Sequence, residues 1–187
     1  IKTKEENMKI SKVVMVSMIV GIISFCGVAN SAKAYSLTGA WWNKGKIEWR
    51  YENYISYRAK QMYVEGINEW KKKSIDAKIS SGNKVVCGER NINDTWDGLT
   101  CPEYKTGSLE FKSQNVFLNK CKKQTWSSDG ALKSVVIHEF GHVFGLADTS
   151  KTKNIMNGST WGTKSRYGTY KLTTPQKDDI SGVNKIY

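Results

Sequence analysis

The chain has 187 residues, enough for one domain with a hydrophobic core of its own and no need of covalent staples. Basic side chains outnumber acidic ones 29 to 17, a balance that favours anionic surfaces such as cell-wall polymers or lipid head groups. The lysines are spread along the chain without a compact basic run, which argues against specific nucleic-acid recognition and for a solvated surface.

Residues 13–32 carry no charge and are mostly apolar, with Lys9 and Lys12 before them and Ala32-Lys33-Ala34 after. A positive start, an apolar centre and a small-x-small exit describe a secretory signal peptide over residues 1–34, cleaved after Ala34, with Met8 as initiator. A retained membrane anchor is the other reading of the same run, which is near the lower length limit for a spanning helix. Phe25 stands where a lipoprotein signal needs a small residue before Cys26, so no lipid anchor is expected. The mature domain, residues 35–187, keeps 24 basic and 15 acidic side chains and is expected to be a secreted, extracellular monomer. Its cysteines are Cys87, Cys101 and Cys121. An odd number leaves at least one thiol over, and Cys87–Cys101 is the first pairing to test because it closes a loop rich in Asn, Asp and Gly.

In chain order, residues 35–44 form an N-terminal arm. Residues 46–51 alternate, with Ile47, Trp49 and Tyr51 on one side, as a half-buried strand does. Ile55, Ala59, Met62, Gly66, Ile67 and Trp70 recur at helical spacing and predict an amphipathic helix over residues 56–72. Residues 77–80 and 84–87 read as short strands. Residues 88–107 hold Asn91, Asn93, Asp94, Asp97, Gly98 and Pro102 and read as one long loop. Its oxygens are of the kind Ca2+ takes, but their spacing fits no calcium loop, and a turn cluster is the simpler reading. Residues 116–119 read either as an edge strand that pairs with an extended substrate or as an ordinary buried strand. Ser128-Asp129-Gly130 opens a helix apolar on nearly every side, hence buried. Residues 148–172 are irregular, and Thr174-Pro175 is the expected start of a last helix.

The chemistry is concentrated in residues 138–148, His-Glu-Phe-Gly-His-Val-Phe-Gly-Leu-Ala-Asp, which contain both histidines of the chain. His138 and His142 are one helical turn apart on one face, a spacing that binds one zinc ion, and the adjacent Glu139 is placed to act as general base on a metal-bound water. Zinc acidifies that water and polarises a peptide carbonyl. Gly145 is a natural helix terminator, after which the chain can bring a third ligand back, and Asp148 is the residue at that place. The other readings are two core histidines bonded to backbone, and an Asp148 that only forms the helix-end turn.

His138-Glu139-x-x-His142-x-x-Gly145-x-x-Asp148, followed by Asn154-Ile155-Met156-Asn157, resembles the metzincin zinc metalloproteases, in which a methionine turn lies beneath the metal; Met156 would be that methionine. Aspartate as third ligand is similar to the snapalysins. Gly45-Lys46-Ile47-Glu48-Trp49-Arg50-Tyr51 and the C-terminal stretch with Asp178-Asp179-Ile180-Ser181-Gly182 resemble the matrixins. The resemblance implies an α+β fold, a twisted mixed sheet with two long helices plus a small C-terminal subdomain carrying the Met-turn and the last helix, with substrate in the cleft between. It implies a zinc endopeptidase acting on protein or peptide substrates, with one catalytic Zn2+ held by His138, His142 and Asp148. The histidines of a second, structural zinc site have no counterpart, and neither does a blocking pro-segment cysteine between Ala34 and the domain. Asp178 and Asp179 would anchor the Met-turn region, and Tyr167 or Tyr170 would help stabilise a tetrahedral intermediate as a tyrosine after the Met-turn does in some relatives. A non-catalytic zinc-stabilised binding module and a basic cell-wall-binding protein are the alternatives.

Overall fold

The computed structural model describes residues 35–187, and the signal-peptide expectation for residues 1–34 lies outside the described residues. Seven strands and four helices follow one another: β1 (Ser36–Leu37), β2 (Lys46–Tyr51), α1 (Tyr57–Lys71), β3 (Lys78–Ser81), β4 (Val85–Arg90), β5 (Gly98–Tyr104), β6 (Phe111–Asn119), α2 (Lys123–Trp126), α3 (Asp129–Phe144), β7 (Leu146–Ala147) and α4 (Lys177–Ile186). Strands β2 to β6 form one twisted five-stranded sheet in the order β3-β2-β4-β6-β5. Its first four members are parallel and β5 runs antiparallel to β6. This is the expected mixed α+β architecture. None of the described helices is long and apolar enough to cross a membrane.

Both long helices begin where the sequence offers a cap. Ser56 Oγ accepts from the Ala59 N–H and Ser128 Oγ from the Ala131 N–H, each satisfying one backbone donor that a helix start leaves open. Helix α1 buries Ala59, Met62, Tyr63, Gly66, Ile67 and Trp70, the face its periodicity predicts. That face packs on α3. At the crossing, a methyl group on Gly66 would lie 2.5 Å from Val136 Cγ1, so the absence of a side chain sets how closely the helices approach. Trp70 then locks the pair: its indole N–H donates to the Ile137 carbonyl at 3.0 Å, and its ring packs 4.9 Å from that of Phe144. Each large apolar side chain buried here contributes roughly 1.5–3 kcal/mol.

Three expectations are corrected, and the open choice for residues 116–119 is decided. The long loop over residues 88–107 contains a seven-residue strand, β5. Its own apolar content is low, and it is held by the ladder to β6 rather than by burial; Pro102 is tolerated because β5 is an edge strand with no ladder on its outer side. Consequently residues 116–119 belong to a nine-residue interior strand, flanked by β4 and β5, and are not the sheet edge. The Cys87–Cys101 bridge does not form, and all three cysteines among the described residues are free. Cys87 and Thr100 both pair with Val116 from opposite sides of β6, two strand spacings or roughly 9–10 Å apart, beyond the ~7 Å that a disulfide spans. Cys101, one residue on, faces the other side of the sheet. Finally, α4 starts at Lys177 rather than near Thr174. Gln176 is its N-cap, in a capping box with Asp179, and a reciprocal box outcompetes a single threonine hydroxyl.

The N-terminal arm is sewn to the segment that leaves α3. β1 pairs antiparallel with β7, Ser36 opposite Ala147 and Leu37 opposite Leu146, and Thr38 donates from both its N–H and its hydroxyl to the Gly145 carbonyl. The end of α3 is therefore fixed from outside as well as by its own turn.

Candidate metal centre and active site

Helix α3 delivers three functional side chains from its last two turns. His138 and His142 share a face, their rings 4.8 Å apart and nearly perpendicular. The helix ends at Gly145, whose φ of 100° is left-handed, a conformation that costs other residues roughly 1–2 kcal/mol. The Gly145 N–H closes back on the Gly141 and His142 carbonyls, and after two residues of β7 the chain presents Asp148 to the histidines. Asp148 Oδ1 lies 3.3 Å from His138 Nε2 and 3.5 Å from His142 Nε2. These three are the side chains whose ligand atoms converge among the described residues.

The donor set fits a zinc ion. Tetrahedral coordination with bonds of about 2.0–2.1 Å places neighbouring ligand atoms about 3.3 Å apart, matching both separations. The other ring nitrogens are occupied in the way such a site needs: Nδ1–H of His138 donates to the Ile155 carbonyl at 3.0 Å, and Nδ1–H of His142 to the Leu146 carbonyl at 2.9 Å. A carbonyl only accepts, so each Nδ1 carries the proton and each Nε2 keeps its lone pair. Burial, then the positive charges of Arg166 and His142, hold the His138 pKa well below the ordinary histidine value, which keeps this ring neutral. Burial acts on His142 in the same direction, but the hydrogen bond that its protonated ring donates to Asp148 and the charge of Glu139 outweigh it and raise the value.

Glu139 is only 3 % exposed, yet it lines the same open cleft of about 430 Å³ as the three converging side chains. Thr100 on β5 donates its hydroxyl to Oε2 at 2.8 Å. Opposite Oε1 stands Gly98, where a methyl group would lie 2.7 Å from that oxygen. Edge strand β5 thus holds one oxygen of the carboxyl by a hydrogen bond and, at Gly98, packs directly against Val135 and the other oxygen. Burial raises the Glu139 pKa, opposed by His142 and by the Thr100 hydrogen bond.

Beneath the histidines lies Met156, 1 % exposed. A methyl group on Gly141 would fall 2.1 Å from its sulfur, so the thioether sits directly against the backbone of α3 between the two histidines. Asp179 on α4 fixes that position. Its carboxyl accepts the N–H of Ile155 at 3.1 Å, of Met156 at 3.3 Å and of Gln176 at 2.7 Å, while neighbouring Asp178 is exposed. Since Ile155 also supplies the carbonyl that orients His138, one carboxyl of α4 reaches the metal centre through two hydrogen bonds.

The sequence reading missed Gly98, Thr100 and Arg166. The first two lie on the strand mistaken for loop. Arg166 stands in the irregular segment, where a lone basic residue carries no sequence signal; it is 2 % exposed and lines the cleft. Neither Tyr167 nor Tyr170 lines that cleft. The Tyr167 hydroxyl is instead bonded to Ser128 Oγ at 2.8 Å, at the start of α3.

No curated protein sequence matches the chain significantly. A solved structure titled "GM1 bound form of the ECX AB5 holotoxin" is similar with a TM-score of 0.53 and 15% identity, over 82% of this chain and 88% of that one; at that identity the likeness is one of fold. The model of the matrixin family, a family of metallopeptidases, matches residues 68–187, more than half of the sequence and every residue that lines the cleft except Thr38. The chain belongs to the matrixin family.

Proposed function

We propose that the protein is a secreted zinc endopeptidase, with His138, His142 and Asp148 holding one ion and Glu139 as its general base. The observation that carries this reading is the convergence of three ligand atoms at tetrahedral spacing beside a buried carboxyl with one oxygen free of hydrogen bonds to the protein. When bound, zinc supplies Lewis-acid chemistry, acidifying a water and polarising the peptide carbonyl.

The rest is the work of the chain. Edge strand β5 has no ladder on its outer side, so an extended peptide pairs with it by backbone hydrogen bonds, with Leu99, Thr100, Pro102 and Tyr104 along the wall of the cleft. Gly98 lets β5, and with it the paired peptide, lie close to Glu139. Thr100 holds Oε2, which leaves Oε1 to take a proton from the attacking water and to return it to the leaving nitrogen. Burial of the carboxyl favours its neutral form, so the proton, once taken, is held long enough to be passed on.

The test is peptide hydrolysis by metal-loaded protein, with and without a chelator, and with Glu139→Ala. That substitution should leave metal content unchanged and lower kcat by at least ~100-fold, the usual contribution of general acid–base catalysis. Full turnover in the variant would sink the assignment. Stoichiometric zinc with no hydrolysis of any peptide by the unaltered protein would favour a zinc-stabilised binding module.

A further inference from the structure

Arg166 is a charged group of the cleft that the candidate metal centre does not account for. A guanidinium carries five N–H donors. Here Nη1–H donates to the Asn157 carbonyl at 2.8 Å and Nη2–H to Thr160 Oγ1 at 2.7 Å, while Nε is buried without a partner. Among the described residues no carboxylate forms an ion pair with it. Burial pushes its pKa down to about 10, so it remains a cation at neutral pH. Buried charges are ordinarily paired at contact distance; Glu139, Asp97 and Asp148 favour the cation only from further off, and their pull does not offset its burial.

The acidic groups around the cleft are committed elsewhere. Asp97 accepts the Thr125 hydroxyl, Glu139 accepts that of Thr100, and Asp148 converges on the histidines. The Thr160 hydroxyl accepts from Arg166 and retains its own proton to donate. The recess that adjoins the cleft at Asp97 and Thr160 is lined by Lys122 and Lys123, which add to the positive potential.

We propose that Arg166 is a specificity-determining residue that selects substrates with a carboxylate side chain, Asp or Glu, beside the scissile bond. The carboxylate supplies the acceptor that the free guanidinium donors lack, with the Thr160 hydroxyl as a second donor. This rests on the peptidase reading, and it adds to it a substrate class.

The experiment uses peptide pairs that differ only in Glu against Gln, scanned through the positions flanking the cleaved bond, with metal-loaded protein. At one position kcat/KM is expected to favour Glu roughly 10- to 100-fold, the ratio a charge-assisted hydrogen bond has over its loss. Arg166→Gln should bring that ratio close to one, and Arg166→Lys should restore part of it. If either variant fails to fold, as near-ultraviolet circular dichroism would show, the peptide pairs on the unaltered protein decide alone. A readout without turnover is calorimetric binding of the same pairs to Glu139→Ala, where Glu peptides should bind tighter by a similar factor. Equal cleavage of Glu and Gln peptides at every position overturns the inference and leaves the peptidase reading standing. No cleavage of any peptide overturns both.

Discussion

His138 Nε2 and Asp148 Oδ1 are 3.3 Å apart, although ten residues and a reversal of the chain separate them. The contact is made by Gly145 and the β1–β7 pairing, which turn the chain back beneath the helix end. If Asp148 is a ligand, Asp148→Ala should weaken zinc binding by at least ~100-fold, more than the loss of a residue that merely orients a ligand. Competition against a chromophoric chelator measures this. Undiminished affinity would reduce Asp148 to a turn former. Acidification should release the ion for a related reason, because both imidazoles must stay neutral to bind it.

The reversal itself depends on Gly145. A methyl group there meets two obstacles, a φ of 100° and the Ala40 carbonyl oxygen at 2.4 Å. Left-handed strain costs about 1–2 kcal/mol and overpacking about 1–3 kcal/mol, so Gly145→Ala should destabilise the fold by about 2–5 kcal/mol. Urea unfolding checks it. A loss of only about 1–2 kcal/mol, the left-handed strain alone, would mean that the N-terminal arm moves aside freely.

Asp179 predicts a pH dependence of stability. Burial raises its pKa from 3.8 to about 6, against the pull of three backbone N–H donors. An acid whose folded pKa is raised stabilises the fold fully below its unfolded value, and that stability is lost as pH rises through the folded value. Between about pH 4 and pH 6 the native protein should lose up to ~3 kcal/mol relative to Asp179→Asn, which cannot ionise. Parallel denaturant titrations at several pH values give the difference. The opposite drift would show that the three donors, rather than burial, govern this carboxyl.

The free cysteines predict graded thiol reactivity. Cys121 is exposed, Cys101 half-buried and Cys87 buried in the sheet, and burial raises the Cys87 pKa well above the ordinary thiol value. A chromogenic disulfide reagent should modify Cys121 first, Cys101 more slowly, and Cys87 only on unfolding, since the thiolate is the reactive form. Rapid modification of Cys87 in the native protein would contradict the strand order.

Residues 138–148 determine much of this protein by themselves. A period of 3.6 residues puts both histidines on one face, and a glycine three residues after the second ends the helix, so the candidate ligand set is local and its logic can be read from spacing alone. The two long helices were legible for the same reason: Ser56 and Ser128 cap them, and the buried face of α1 repeats at helical intervals. What depends on distant partners was not legible. Strand β5 exists because β6 offers it a ladder, and nothing within its own residues announces that. The same strand order holds Cys87 and Cys101 two strands apart. Arg166 becomes a buried, unmatched cation only when its loop folds over the cleft. Local periodicity is a property of the chain, whereas an edge, a distance between strands and a desolvated charge come into being only when remote segments meet.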